Sequence, residues 1–230
     1  MKIDGCEVKR AMTSLEVRGW LADQPEKLRQ LVMRKASIIR VANGDAIYQH
    51  GDNPTGLYGL AEGGVKFSSF QENGSEIITS IGFSGTWFGE LSVLDNLPRH
   101  HSTIAISDSL ILHLPIREFK LIIHEYPEYL GNFIGILSRN LRATMLLRDI
   151  LAQPPRIRLK QVLGFLASQD GDQQHNPIIQ ISQEQLAKMI GLSRQTANQI
   201  LRSLEEEGQI KLGYGTIVVS DMKALLDDAC

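Results

Sequence analysis

Apolar residues recur at steps of three and four in the first and last thirds of the chain and in short alternating runs between them, and the change of period divides it. Residues 14–35 read as helical, with Leu15, Trp20, Leu21, Leu28, Leu31 and Val32 as the buried set. The next hundred or so residues break into β-rich runs: Ser37–Val41, Ala46–Gln49, Gly56–Ala61, Gly64–Phe70, Glu76–Gly82, Ser102–Ala105 and Ser109–Pro115. Turns such as Asn43-Gly44, Gly63-Gly64 and Asn73-Gly74 separate them. Runs about ten residues apart with turn signals predict an antiparallel β-roll or barrel.

Pro127 opens a helix that runs to about Ala152, where Pro154-Pro155 closes it. Along it Leu130, Phe133, Ile134, Leu137, Leu141, Met145 and Leu151 recur at helical steps and make an apolar stripe about 36 Å long. One small barrel cannot cover that length. A two-fold partner helix is the natural cover and predicts a homodimer; a helix packed wholly on its own chain is the alternative. Beyond Pro155 the pattern predicts a helix around Ile157–Gln169, a polar loop Asp170–Pro177 and a short strand Ile178–Ile181.

The stretch Gln183–Arg202, QEQLAKMIGLSRQTANQILR, has the spacing of a helix-turn-helix. Leu186, Ile190, Leu192, Ala197 and Ile200 are apolar where two short helices bury against each other, and Ala187 is small where their axes cross. Gly191 fits the tight turn and Ser193 the N-cap of the second helix. On that helix Arg194, Gln195, Asn198, Gln199 and Arg202 share one face, opposite Ala197, Ile200, Leu201 and Leu204. Arg pairs bidentately with guanine, and Gln or Asn with adenine, so this face suits base edges in a major groove. A plain solvated helix face is the competing interpretation. Gly213-Tyr214-Gly215 between two short apolar runs predicts a hairpin, which makes the module a winged helix with Lys211 and Tyr214 placed toward phosphate.

Composition adds three limits. A chain of 230 residues with 43% hydrophobic content buries a substantial core and suits one large domain or two smaller ones. No apolar run is long enough to cross a bilayer and the first twenty residues lack a secretory pattern, so a cytoplasmic location is expected, without a membrane partner. Cys6 and Cys230 lie near opposite ends and suggest neither a disulfide framework nor a Cys-ligated cluster. The formal charge of −2 argues mildly against nucleic acid, but between Gln153 and Arg202 six basic residues (Arg156, Arg158, Lys160, Lys188, Arg194 and Arg202) stand against three acidic ones. That balance predicts moderate, salt-sensitive binding.

A second motif lies in the β-rich part: Trp87-Phe88-Gly89-Glu90-Leu91-Ser92-Val93-Leu94-Asp95-Asn96-Leu97-Pro98-Arg99. Gly89 permits close backbone approach, Glu90 can accept from a sugar hydroxyl, and Leu91–Leu94 suggest a one-turn helix with N–H groups open to an anion. Arg99 supplies a fork-shaped cation for a phosphate. A structural ion pair between Glu90 and Arg99 is the alternative.

A β-roll carrying FGELSVLDNLPR, a long helix, and ISQEQLAKMIGLSRQTANQILRSLEEEGQI followed by a hairpin together resemble the CRP/FNR family of bacterial transcription regulators, from about Leu15 to Val219. The resemblance implies an α+β chain: a jelly-roll, cyclic-nucleotide-binding-like sensor over 1–126, a dimerisation helix over 127–153 and a winged helix-turn-helix over 154–230. It implies a homodimer on a palindromic double-stranded operator, under a small-molecule effector, with RNA polymerase as a partner of an activator. Cyclic AMP or cyclic GMP is the candidate effector, with Gly89 and Glu90 by the ribose and Arg99 by the cyclic phosphate, and with Leu91, His100 and Thr144 as the further candidate effector contacts; an unknown effector or a vestigial pocket is the alternative. Ser182 and Gln183 fall where the family holds phosphate, and Ser193, Arg194, Gln195, Asn198, Gln199 and Arg202 belong to the reading helix.

Two departures stand out. His100 takes the place where cyclic-nucleotide binders of this type carry a small residue or Ser, and Thr144 alone offers a hydroxyl where the family's cyclic-AMP regulator has a pair. Gln195 and Gln199 stand where that regulator has Glu and Arg, which implies a different operator. His50, His113, His124 and His175 lack ligand spacing, adjacent His100 and His101 point to opposite faces of a strand, and Cys6 alone makes no cluster, so haem, metal or iron–sulfur sensing is not expected. No nucleophile elbow, phosphate-cradling loop or paired carboxylates mark an enzyme. A nucleotide-binding regulatory protein without DNA activity is the closer rival, and the winged module argues against it.

Overall fold

The computed structural model describes residues 3–168 and 176–227. Helix α1 (Gly5–Val17) starts on a capping box, in which the Asp4 carboxylate accepts from the Glu7 N–H at 2.7 Å and the Glu7 carboxylate from the Asp4 N–H at 3.2 Å. Residues 14–35, predicted as one helix, are instead the end of α1, a 3₁₀ turn Leu21–Asp23 and α2 (Glu26–Lys35). The break has a packing cause. Trp20 turns inward with its ring centre 4.9 Å from that of Trp87, edge to face, and its indole N–H donates to the Asn132 carbonyl at 2.8 Å. Pro25 then pre-sets the entry to α2. Leu15, Trp20, Leu21, Leu28, Leu31 and Val32 are all buried, as the pattern required.

The roll follows as β1 (Ser37–Val41), β2 (Ala46–Tyr48), β3 (Gly56–Glu62), β4 (Gly64–Phe70), β5 (Glu76–Phe83), β6 (Trp87–Phe88), α3 (Glu90–Asp95), β7 (Ser102–Ala105), β8 (Ser109–Pro115) and α4 (Ile116–Glu125). Its strands form two sheets of the jelly-roll type, in the orders β1-β8-β3-β6 and β2-β7-β4-β5, with antiparallel registers such as Tyr58 opposite His113 and Phe67 opposite Thr103. Alternation along the strands makes two cores. Val41, Tyr48, Tyr58, Leu60, Val65, Phe67, Phe88, Ala105 and Ile111 fill the inside of the roll. Leu57, Leu112 and Leu114 face the other way and meet Leu15, Leu28, Val32, Phe119 and Ile122 of the covering helices.

After a 3₁₀ turn Pro127–Tyr129, α5 runs over Leu130–Leu151. Phe133, one residue of the apolar stripe assigned to a partner helix, is buried within its own chain, 5.1 Å from Trp20 and 4.9 Å from Phe119, ring centre to ring centre. Leu130, Ile134, Leu141, Met145, Leu146 and Leu151 remain exposed. The rest of the chain is α6 (Pro155–Ser168), β9 (Ile178–Ile179), α7 (Gln183–Met189), α8 (Arg194–Glu206), β10 (Ile210–Gly213), β11 (Thr216–Val219) and α9 (Met222–Asp227), with a sheet of order β10-β11-β9. Leu159, Leu163, Leu186, Ile190, Ala197, Leu201, Leu204, Ile210, Ile217 and Val219 are its buried set. Most of the predicted loop Asp170–Pro177, with Asp170, Asp172 and His175, and also Cys230, lies outside the described residues.

Backbone contacts divide the chain into two compact units, residues up to Ser69 with Ile81–Leu141, and Phe70–Ser80 with the chain from Arg142 onward. Among the described residues no helix is long and apolar enough to cross a membrane.

Candidate functional site

The helix-turn-helix is set by its two caps. Ser182 caps α7 through a capping box, its hydroxyl accepting from the Gln185 N–H at 3.2 Å while the Gln185 side chain accepts from the Ser182 N–H at 2.9 Å. Ser193 caps α8, its hydroxyl accepting from the Thr196 N–H at 3.0 Å. Between them Gly191 adopts φ +65°, a left-handed turn that costs a β-carbon residue strain.

This frame turns Arg194, Gln195, Gln199 and Arg202 out to solvent and buries Ala197, Leu201 and Leu204 on the opposite face. Ile200 is half-buried. Asn198 departs from the predicted free row. It is half-buried, its amide donates to the Gln183 side-chain oxygen at 2.6 Å, and its own oxygen accepts from Arg202 Nε at 3.0 Å. A bridge Gln183–Asn198–Arg202 therefore ties the two motif helices and aims the Arg202 guanidinium. Spacing alone did not reveal it, because residues fifteen apart meet only when the helices cross.

The basic residues counted in the sequence are mostly engaged. Arg156 pairs with Glu207 at 2.6 Å, Arg158 Nη1 donates to the Ile190 carbonyl at 2.8 Å, buried Lys160 donates to the Ala224 carbonyl at 3.0 Å, and Lys188 lies 3.3 Å from Glu184. The Glu207 carboxyl is held below the usual carboxylate range by the Ser203 hydroxyl and Arg156. Positive charge on the reading face thus comes down to Arg194 and Arg202, with Lys211 exposed on the wing. Beside the face an open groove of about 270 Å³ is lined by Gln183, Asn198, Arg202, Glu205, Glu206 and Leu212. Glu205 accepts from the Leu212 N–H at 2.7 Å and so joins the end of α8 to the wing, whose tip Tyr214 is fully exposed.

In the roll, Gly89 adopts φ +86° and caps α3; a β-carbon there would lie 2.8 Å from Arg99 Nη1, so the two positions are built against each other. Arg99 is 2% exposed. Its Nη1 donates to the Gly89 carbonyl at 2.8 Å and its Nη2 to the Gly56 carbonyl at 2.7 Å, while its guanidinium carbon sits 4.3 Å from the Tyr48 ring centre and 5.6 Å from that of Tyr58. Glu90, 8% exposed, accepts from the Asn140 amide of α5 at 2.9 Å; the same nitrogen donates to the Trp87 carbonyl at 3.1 Å. These bonds replace the Glu90–Arg99 ion pair considered from the sequence. Burial pushes the Glu90 carboxyl above its usual range, opposed by the Asn140 bond.

The neighbouring histidines lie in a bend before β7 rather than on a strand, and they diverge. His100 is exposed. His101 turns inward, its Nε2 3.3 Å from the Tyr48 hydroxyl and its ring edge-on to Phe67, and burial, with the charges of His100, Arg99 and His50, lowers its pKa to about 4. Leu91 and Thr144 are exposed. Among the described residues no group of three or more His, Cys, Asp or Glu side chains is placed to hold a metal ion. Asn140, Tyr48 and Tyr58 are the residues of this region that sequence reasoning missed. A polar Asn inside the apolar stripe of α5 was the available signal for the first.

A jelly-roll with a buried Gly-Glu…Arg cassette, a long helix and a winged helix-turn-helix defines a two-module DNA-binding regulator. The cyclic nucleotide-binding domain family matches residues 38–126 and the Crp-like helix-turn-helix domain family matches residues 157–227. A "Cyclic AMP receptor protein" of Thermus thermophilus is 33% identical over 186 residues, covering 80% of this chain and 84% of its own. A "Global nitrogen regulator" of Synechococcus elongatus is 27% identical over 188 residues, covering 79% and 85%. In fold, FixK2 of Bradyrhizobium japonicum superposes with a TM-score of 0.74 at 16% identity, over 84% of this chain and 96% of its own. The chain belongs to the CRP/FNR family of transcription regulators, which is a family of DNA-binding proteins and not of enzymes.

Proposed function

We propose that the chain binds a palindromic double-stranded operator as a homodimer, in the cytoplasm where that DNA lies, and is controlled through its roll. The observation that carries the reading is the exposed row Arg194, Gln195, Gln199 and Arg202 on a helix whose other face buries Ala197, Leu201 and Leu204. Arg194 and the two glutamines are the proposed base readers, and Arg202, Lys211 and Tyr214 the proposed phosphate contacts. Ser182, Gln183, Ser193 and Asn198 act by holding the helices and by the N–H groups they leave at the helix starts.

The exposed residues Leu130, Ile134, Leu141 and Met145 of α5 support the homodimer, since a second copy of the same helix is the self-complementary cover for such a stripe. Residues 1–126 then act as the sensor, 127–153 as the dimerisation helix and 154–230 as the reading domain. An effector on the roll biases the packing of the paired helices, and Pro154-Pro155 passes the change on. Relatives named for cyclic AMP and for nitrogen regulation support control by a small molecule without fixing which.

Selection of bound duplexes from a random pool, with sedimentation of the free protein, tests the reading. Enriched sequences should be inverted repeats with half-sites about 34 Å apart, recovered by a dimer. A monomer, or a pool without two-fold symmetry, overturns it.

A further inference from the structure

We infer that Arg158 is a positioning residue for DNA reading: its guanidinium ties the hinge carbonyl of Gln153 to the turn of the helix-turn-helix, so that the seat of α8 is set from the hinge. The inference rests on the proposed binding of an inverted repeat by a homodimer. It deepens that reading by naming the side chain that carries hinge geometry to the reading helix.

On the hinge side, the chain leaves α5 through Ala152 and Gln153, whose N–H groups still reach the carbonyls of Asp149 at 3.3 Å and Ile150 at 3.0 Å. Pro154 follows. Its ring restricts the backbone of Gln153, and without an N–H it leaves the Gln153 carbonyl to be satisfied from elsewhere. Arg158 of α6 does this with a fork: Nε donates to that oxygen at 3.2 Å and Nη2 at 3.0 Å, while its main-chain N–H donates to the Pro154 carbonyl at 2.9 Å. Side chain and backbone of one residue thus grip both sides of the Gln153–Pro154 peptide.

The third nitrogen points to the DNA-reading element. Nη1 donates at 2.8 Å to the carbonyl of Ile190, the C-cap of α7, at the end of a helix where carbonyl oxygens lack helical partners and favour a cation. Ile190 is itself fully buried, and the next residue is Gly191 at φ +65°, followed by Leu192 and the Ser193 cap of α8. A shift of the Ile190 peptide is therefore passed through a short, tightly turned segment to Arg194. Arg156 of the same helix holds the far end of α8, donating to Ser203 Oγ at 3.0 Å and pairing with Glu207 at 2.6 Å. Those partners are side chains partly in solvent, where an ion pair is screened, and none belongs to the hinge. Arg158 joins main chain to main chain, and a planar fork can do so where the single ammonium of a lysine cannot.

The test is a titration of the full-length protein on its selected operator and on a copy with one base pair added between the half-sites. The addition turns one half-site by about 35° and moves it about 3.4 Å along the axis. Firmly held reading helices bind the lengthened copy more weakly, and the ratio of the two affinities measures how firmly they are held. Arg158→Lys keeps the charge and should lower that ratio by about 10-fold, the size of one lost charge-assisted bond. Arg156→Lys should leave it unchanged. An unchanged ratio in Arg158→Lys overturns the inference, as does a loss of affinity equal on both duplexes, because a role in folding or in phosphate contact moves both alike. An equal drop in Arg156→Lys also overturns it, since the coupling would then belong to α6 as a whole. Pro154→Ala releases the other end of the bridge and should lower the ratio too; in the double variant the two losses should not add, and additive losses overturn the inference. If Arg158→Lys does not fold, Pro154→Ala decides alone, an unchanged ratio being the overturning result. Wild-type protein that binds no inverted repeat sinks the proposed function. Equal wild-type binding to both spacings, or discrimination that survives in Arg158→Lys, sinks this inference alone.

Discussion

Asn140 of α5 holds the Glu90 carboxylate at 2.9 Å and the Trp87 carbonyl at 3.1 Å through one amide nitrogen, which fastens α5 to both sides of the Gly89 turn. Glu90 is buried and its carboxyl is pushed up, so its charged form is stabilised mainly by that amide. A raised folded-state pKa means that Glu90 supports the fold below its ordinary pKa and that this support is lost as pH rises through the folded value. Asn140→Ala removes the opposing bond and widens the loss. Its stability deficit should therefore grow from about pH 4 to pH 7, reaching about 1.5–3 kcal/mol by denaturant melts. A deficit independent of pH would show that Asn140 serves only the Trp87 carbonyl.

His101 has the opposite sign. Its pKa is lowered to about 4 by burial against Tyr48 and Phe67 with cationic neighbours, so the folded state resists protonation that the unfolded chain accepts. Stability from this group is complete above the ordinary histidine value of about 6.5 and is lost as pH falls from there toward 4. The midpoint of thermal melting should decline over that window, and His101→Gln should remove most of the decline. Equal pH slopes in the two proteins would assign the acid loss elsewhere.

Arg194 is the first residue of α8 and is exposed next to the Ser193 cap. With Arg194 as the proposed bidentate partner of guanine, Arg194→Ala should cost about 1–3 kcal/mol at one base pair of each half-site and relax the preference there. Mobility-shift titration on the selected operator and on its single-base variants reads both effects. Undiminished affinity on the original operator removes Arg194 from the contact list.

Leu141 is 51% exposed and Met145 56% exposed on one face of α5. On the proposed homodimer, Leu141→Glu places a charge on each side of the two-fold seam. It should shift the protein to monomer in sedimentation and weaken operator binding at least ~100-fold, since a single reading domain loses the linked second site. Secondary structure by circular dichroism should stay unchanged, because Leu141 leaves the chain's own core intact. A variant that remains dimeric would place the interface elsewhere.

The winged module was legible almost residue by residue. Its helices, the turn at Gly191, the cap at Ser193 and the hairpin at Gly213-Tyr214-Gly215 are local devices, and each is written within four residues of where it acts. The roll was legible as strands and turns, but α4 was missed although Pro115 opens it and Ile116, Phe119 and Ile122 have helical spacing, because it continues the apolar run of β8 without a polar break. The break in the first helix was missed for another reason. Trp20 leaves the helix to meet Trp87 and Asn132, which lie 67 and 112 positions along the chain.

The sequence by itself determined the order of the modules, the reading row from Arg194 to Arg202 and the unmatched stripe on α5, since hydrophobic period, caps and turns act over a few residues. The use of the charged and polar groups was decided only by tertiary structure: Arg99 on two carbonyls and two tyrosines, Glu90 on Asn140, Asn198 on Gln183, and the basic residues of α6 and α7 on partners within the fold. A guanidinium or carboxylate has the same letter whether it faces solvent or is buried. What it binds depends on which distant carbonyls, rings and amides the packed chain brings within three or four ångströms of it.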